Sequence, residues 1–167
     1  NPLHPDIYPS ITQIETDLVN MVKNLFNGNK DSVGCVTSGG TESILLSCYS
    51  YKKFGLKKNI TYPEMIIPSS AHAAFDKAGD YFGIKVVKIP TNKDSSIDLD
   101  LYESCINKNT IMCVCSAPSY NHGIIEPYKE ISNLALKYNI PLHVDACLGG
   151  FILPFLDDSF YINNNIN

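Results

Sequence analysis

Ile111-Met112-Cys113-Val114-Cys115, a helix-length pattern over 127–138 and then Leu142-His143-Val144-Asp145 together decide the fold. Both short runs are apolar and β-prone, and the helical pattern between them is far too long for a hairpin loop. A connection of that size joins parallel strands by a crossover. Working outward, the same alternation repeats upstream. Strands are expected at 34–37, 65–67 and 86–89, with helices over 41–54, 71–82 and 99–107 between them. Gly55 and Gly83 stand where two of those helices should stop. The expectation is an α/β protein, a three-layer α/β/α arrangement around a mostly parallel sheet. Ahead of it, Ser10 followed by Gln13 has the form of a capping box. Ile11, Ile14, Leu18, Met21, Val22 and Leu25 then recur at helical spacing as far as Asn27-Gly28.

A length of 167 residues with 44% hydrophobic content suits one globular unit. The net charge is -4 and all 13 basic residues are lysines scattered along the chain, so there is no basic field for a nucleic-acid backbone. No apolar run approaches the roughly 18 residues of a membrane span, and the N-terminus lacks a signal pattern. The six cysteines form no CxxC pair, which argues against a disulfide framework or a zinc site and fits a reducing, cytosol-facing compartment. The start at Asn1 and the asparagine-rich end read as cuts or insertions within something longer, with residues 1–157 as one unit and 158–167 as an Asn-rich tail.

Parallel strands direct their C-terminal ends to one edge of a sheet, and ligands of open α/β sheets bind there. The residues after each strand therefore carry the chemistry. Ser38-Gly39-Gly40-Thr41-Glu42-Ser43 lies at a strand-to-helix junction, where glycines and free N–H groups can cradle a phosphate; an ordinary glycine turn is the competing reading. Neither GxxxxGK[ST] nor GxGxxG occurs, so nucleotide fingerprints are missing. Alternation puts His143, Asp145 and, if the strand geometry continues, Cys147 on one face. If the ligand is a pyridine ring, a carboxylate there holds its nitrogen protonated; otherwise Asp145 is a cap and His143 a core residue. His72, after the second strand, is placed to stack on a flat ring. Cys113 and Cys115 read as core.

Taken together, Ser38-Gly39-Gly40-Thr41-Glu42-Ser43, Ala71-His72-Ala73-Ala74-Phe75 and His143-Val144-Asp145-Ala146 resemble, in order and spacing, the pyridoxal-phosphate-dependent decarboxylase-like family of fold type I. Asn1-Pro2-Leu3-His4-Pro5-Asp6 and Asp145-Ala146-Cys147-Leu148-Gly149-Gly150-Phe151 are similar to its carbon–carbon lyase branch. The amino-acid decarboxylase branch usually has alanine where Cys147 stands. The resemblance implies pyridoxal 5'-phosphate as cofactor, with its phosphate against Gly39, Gly40 and Thr41. It further implies His72 on the ring, Asp145 on the pyridine nitrogen, and His143 and Cys147 beside them. His4 and Asn1 would meet the substrate phosphate, and His72 and Asp145 would be the catalytic residues.

The reaction implied is cleavage of a phosphorylated sphingoid base to a long-chain aldehyde and phosphoethanolamine, by a homodimer whose parent is anchored to the endoplasmic reticulum. The family's Schiff-base lysine follows the ring aspartate by several tens of residues and matches none of the lysines here, so this stretch by itself is expected to be inactive. Three other readings stand beside this one. They are an amino-acid decarboxylase of the same family, a non-catalytic binding or interaction remnant, and a generic nucleotide-binding α/β domain.

Overall fold

Seven consecutive residues, Thr110–Ser116, are buried on both faces and form β3, the centre of a four-stranded sheet. The computed structural model describes residue 4 and residues 6–156. The chain divides into two compact units, Asn1–Gly39 and Gly40–Asn167.

In the second unit the elements run α2 (Gly40–Lys57), β1 (Glu64–Pro68), α3 (Ala74–Phe82), β2 (Lys85–Ile89), α4 (Leu99–Ser104), β3, α5 (Tyr128–Lys137) and β4 (Leu142–Asp145); α1 (Pro9–Leu25) belongs to the first unit. The strand order is β2-β1-β3-β4 and every pairing is parallel. Side chains alternate between two cores. Met65, Ile67, Met112 and Val114 pack with Ile44 and Cys48 of α2 and Phe75 and Ala78 of α3. On the other face, Ile66, Ile89, Cys113 and Cys115 pack with Tyr102 of α4 and Ile131 of α5. Helices on both faces of a parallel sheet give the expected three layers.

Four of the five expected strands are present, within a residue or two of the sequence reading. The expected strand at 34–37 is not one. Its backbone is engaged otherwise: the Val36 N–H donates to a Glu15 carboxylate oxygen at 3.0 Å, and the Thr37 hydroxyl donates to the Gly39 carbonyl at 3.1 Å. The Ser10–Gln13 capping box is also absent. Pro9 already lies inside α1, Tyr8 is the N-cap without a side-chain bond, and Gln13 reaches forward to Asp17. Pro9 is favoured in the first turn because its missing N–H would have no partner there. α2 runs through Gly55, whose lack of a side chain lets Ile111 approach the helix; a Cβ at Gly55 would lie 2.5 Å from the Ile111 methyl. Gly83, by contrast, ends α3 in the left-handed region at φ 61°. The tail at 158–167 lies outside the described residues.

The β1–β3 pairing has one distinctive joint. Its register ends at Ile66↔Cys113. Beyond that point the buried Tyr102 hydroxyl, reaching in from α4, accepts from the Val114 N–H at 2.9 Å and lies within 3.1 Å of the Ile66 carbonyl. Burial pushes this phenol well above the usual tyrosine range. Tyr102→Phe keeps the ring but leaves the Val114 N–H unpaired. It should therefore lower stability by about 1–3 kcal/mol, read as a shifted urea midpoint with an unchanged slope.

Candidate functional site

At the C-terminal edge of the sheet lies a cleft of about 450 Å³, lined by Gly40, Thr41, Ser43, His72, His143, Asp145 and Cys147 among others. Three elements build it. α2 starts at Gly40, and Gly40, Thr41 and Ser43 of its first turn line the cleft. The turn after β1 carries His72, and β4 delivers His143 and Asp145 two residues apart on one face.

His72 precedes α3 and does not lie within it, since the helix begins at Ala74. Its Nδ1 accepts the Ala74 N–H at 3.1 Å, which fixes the ring and leaves Nε2 as the protonated nitrogen. Tyr120 meets this ring edge-on, with centroids 5.9 Å apart. His143 stands deeper, edge-to-face against Phe75 at 5.5 Å and Tyr51 at 6.4 Å. Burial holds its imidazole below the usual histidine range, partly offset by the Asp145 charge.

The strand geometry does not continue to Cys147. The chain turns immediately after Asp145, the Cys147 N–H donates to Asp145 Oδ1 at 3.2 Å, and the Gly150 N–H closes onto the Ala146 carbonyl at 2.7 Å. This reversal is what keeps Cys147 in the cleft, with its sulfur 3.7 Å from where a Gly40 side chain would begin. The turn packs so tightly on the end of β3 that a Cβ at Gly149 would lie 2.0 Å from the Ala117 carbonyl oxygen.

Of the expected site residues, Gly40, Thr41, His72, His143, Asp145 and Cys147 meet in this cleft. Gly39 is the last residue of the first unit, and His4 is an exposed residue of that unit. Asn1 lies outside the described residues. Among the described residues, no lysine lines the cleft. Cys113 and Cys115 are core as expected, and burial pushes both thiols up, Cys113 to about 11.

Sequence reading missed Glu126. It is 1% exposed, and its carboxylate accepts from the Ser70 hydroxyl at 2.8 Å and the Ser116 N–H at 2.5 Å. Burial raises its pKa, the two hydrogen bonds oppose the rise, and the Asp145 charge adds to it. An acid directly before Pro127 and a helix reads as an exposed helix-start residue, so the sequence offered no signal of burial.

The His143 shift gives a testable pH dependence. A folded-state pKa below the ordinary 6.5 means that the fold favours the neutral ring. That stability is complete above pH 6.5 and is lost as pH falls toward the folded value, at no more than about 1.4 kcal/mol per pH unit. His143→Gln should lack this component. Urea unfolding at pH 7.5, 6.5 and 5.5 should show the difference between the two proteins changing with pH, and a constant difference would refute it.

Comparison with known proteins gives a consistent picture. The family model of the pyridoxal-dependent decarboxylase conserved domain matches residues 1–162. Sphingosine-1-phosphate lyase 1 of Rattus norvegicus is 52% identical over 161 residues, covering 96% of this chain and 28% of the relative. The Saccharomyces cerevisiae sphingosine-1-phosphate lyase is 45% identical over 166 residues, covering 98% of this chain and 28% of the relative. Among solved structures, a Burkholderia pseudomallei sphingosine-1-phosphate lyase superposes with a TM-score of 0.85 at 37% identity, over 92% of this chain and 37% of that one. A Lactobacillus brevis glutamate decarboxylase, at 24% identity and a TM-score of 0.79, shares the fold. The chain thus spans under a third of the length of the curated relatives it matches.

Proposed function

The chain belongs to the pyridoxal-dependent decarboxylase family, and on that premise we propose that it forms part of the cofactor-binding domain of a lyase that cleaves phosphorylated sphingoid bases to a long-chain aldehyde and phosphoethanolamine. The observation that carries this reading is the meeting of a helix N-terminus, an oriented imidazole and a carboxylate in one cleft.

These donors fit pyridoxal 5'-phosphate. The first-turn N–H groups of α2 at Gly40 and Thr41 suit its phosphate, and Gly39, next to them in the chain, extends the same backbone run. His72, fixed through Nδ1, offers a flat face to the ring. Asp145, tethered by the Cys147 N–H, offers a negative charge to the pyridine nitrogen, and half-buried His143 backs it from the same strand face. Bound there, the cofactor supplies an electron sink for the pair released when a carbon–carbon bond breaks. Asp145 maintains that capacity by keeping the ring nitrogen protonated, and His72 orients the ring and excludes water from its face. His4 and Asn1 are assigned to the substrate phosphate, on their match to the lyase branch. The cofactor-bearing lysine is assigned to sequence outside this chain, and the active enzyme to a homodimer, its cytosol-facing domain anchored at the endoplasmic reticulum. Among the described residues no helix is long and apolar enough to cross a membrane.

The test uses the full-length enzyme. Asp145→Asn keeps the shape and removes the charge. Charge-assisted contacts contribute about 1.5–3 kcal/mol, so turnover should fall about ten- to a hundredfold; an unchanged turnover would remove Asp145 from the ring nitrogen. His4→Ala should raise KM for the phosphorylated base and leave cofactor affinity unchanged. Equal loss of both would refute its assignment to the substrate end.

A further inference from the structure

The sheet changes direction between β1 and β3. From β1 the chain moves outward to β2, and from β3 it moves outward to β4, so the connections leave the two neighbouring strand ends in opposite directions, the arrangement that forms a crevice outside them. In open α/β sheets such a crevice ordinarily receives a ligand. Here Glu126 fills it. Oε1 accepts from Ser70, Oε2 accepts from the Ser116 N–H, and the Glu126 N–H donates back to the Ser116 carbonyl at 3.1 Å. Ser70 lies two residues before His72. Ser116 stands opposite Asp145 in the β3–β4 register, and the neighbouring Ala117 N–H donates to the Asp145 carbonyl at 2.9 Å.

We propose that Glu126 is a positioning residue for the ring end of the cofactor cleft: by clamping Ser70 to Ser116, it sets the separation between the His72 turn and Asp145. This rests on the cofactor reading of the cleft. The choice of residue supports it. Filling the crevice with an apolar side chain would avoid the cost of desolvating a carboxyl, whereas a carboxyl holds two donors at fixed directions at once. The clamp also ties the two sides of the site by hydrogen bonds at the place where the main-chain ladder no longer can. Phosphate recognition at the start of α2 does not pass through it.

Four proteins decide the matter: the full-length protein that contains this chain, and its Glu126→Ala, Glu126→Gln and Ser70→Ala variants. The glutamine keeps an acceptor for Ser116 and a partner for Ser70 without the charge. Binding is read separately for pyridoxal phosphate and for inorganic phosphate, and amide hydrogen exchange is read without ligand. Loss of the clamp in Glu126→Ala should weaken pyridoxal phosphate binding about tenfold, the equivalent of about one hydrogen bond, while inorganic phosphate binds as before. Glu126→Gln should restore most of that affinity, and Ser70→Ala, which cuts one arm only, should fall between. Without ligand, exchange at residues 71–74 and 116–117 should quicken in Glu126→Ala and recover in Glu126→Gln.

Parallel loss of both ligands, or a glutamine variant as poor as the alanine, would reduce Glu126 to a fold-stabilising residue and overturn the proposal. So would unchanged exchange in Glu126→Ala. If Glu126→Ala does not fold, Ser70→Ala decides by the same two readouts. A full-length protein that binds inorganic phosphate but not pyridoxal phosphate would sink the cofactor reading, and the exchange data would still decide the clamp.

Discussion

The seam between β1 and β3 is the constraint on which the rest of the structure depends. These two strands form the middle of the sheet, yet their main-chain register stops at Ile66↔Cys113, before either strand ends. A buried N–H without a partner costs about as much as a lost hydrogen bond. The Val114 and Ser116 N–H groups therefore need other acceptors, and they find the Tyr102 hydroxyl and then the Glu126 carboxylate. Side chains from α4 and from the loop before α5 thus complete a ladder that the twisted strands cannot.

The same edge of the sheet carries the cleft: the turn after β1, the end of β4 and the start of α2 bring His72, Asp145 and Gly40 to one place. The two carboxylates of this region differ because their surroundings differ. Asp145 is part-exposed, takes an N–H from its own turn and is available to a cationic ring nitrogen. Glu126 is sealed beneath it, with its pKa raised by burial and by Asp145 itself. Environment, not residue type, separates a part-exposed carboxylate that lines the cleft from one enclosed among Ser70 and Ser116.

Much of the site was legible in the sequence because it lies at strand ends, and strand ends follow from local pattern. Alternation identified His143 and Asp145 as neighbours on one face, and the glycine pair at 39–40 marked where α2 begins at the cleft. The error at 34–37 has a plain physical source. Gly34-Cys35-Val36-Thr37 has the composition of a strand, but a strand exists only where a partner supplies a ladder, and here Glu15 takes the Val36 N–H. His72 and Cys147 were placed correctly for partly wrong local reasons. His72 sits in a turn ahead of its helix, and Cys147 returns to the cleft by a reversal that needs the missing side chain of Gly149.

The sequence by itself determined the order of β1 to β4 and of the helices between them, the parallel crossovers and the residues at the sheet's C-terminal edge. Each of these follows from sterics and from apolar patterning over a few neighbouring residues. Tertiary structure alone decided what lies in the central seam. Ser70 and Glu126 are 56 residues apart, and Tyr102 meets the Ile66 carbonyl across 36. No local pattern distinguishes Glu126 from an ordinary solvated acid at the start of a helix. Its burial exists only once β1 and β3 lie side by side and the loop before α5 has folded onto their ends, between Ser70 and Ser116.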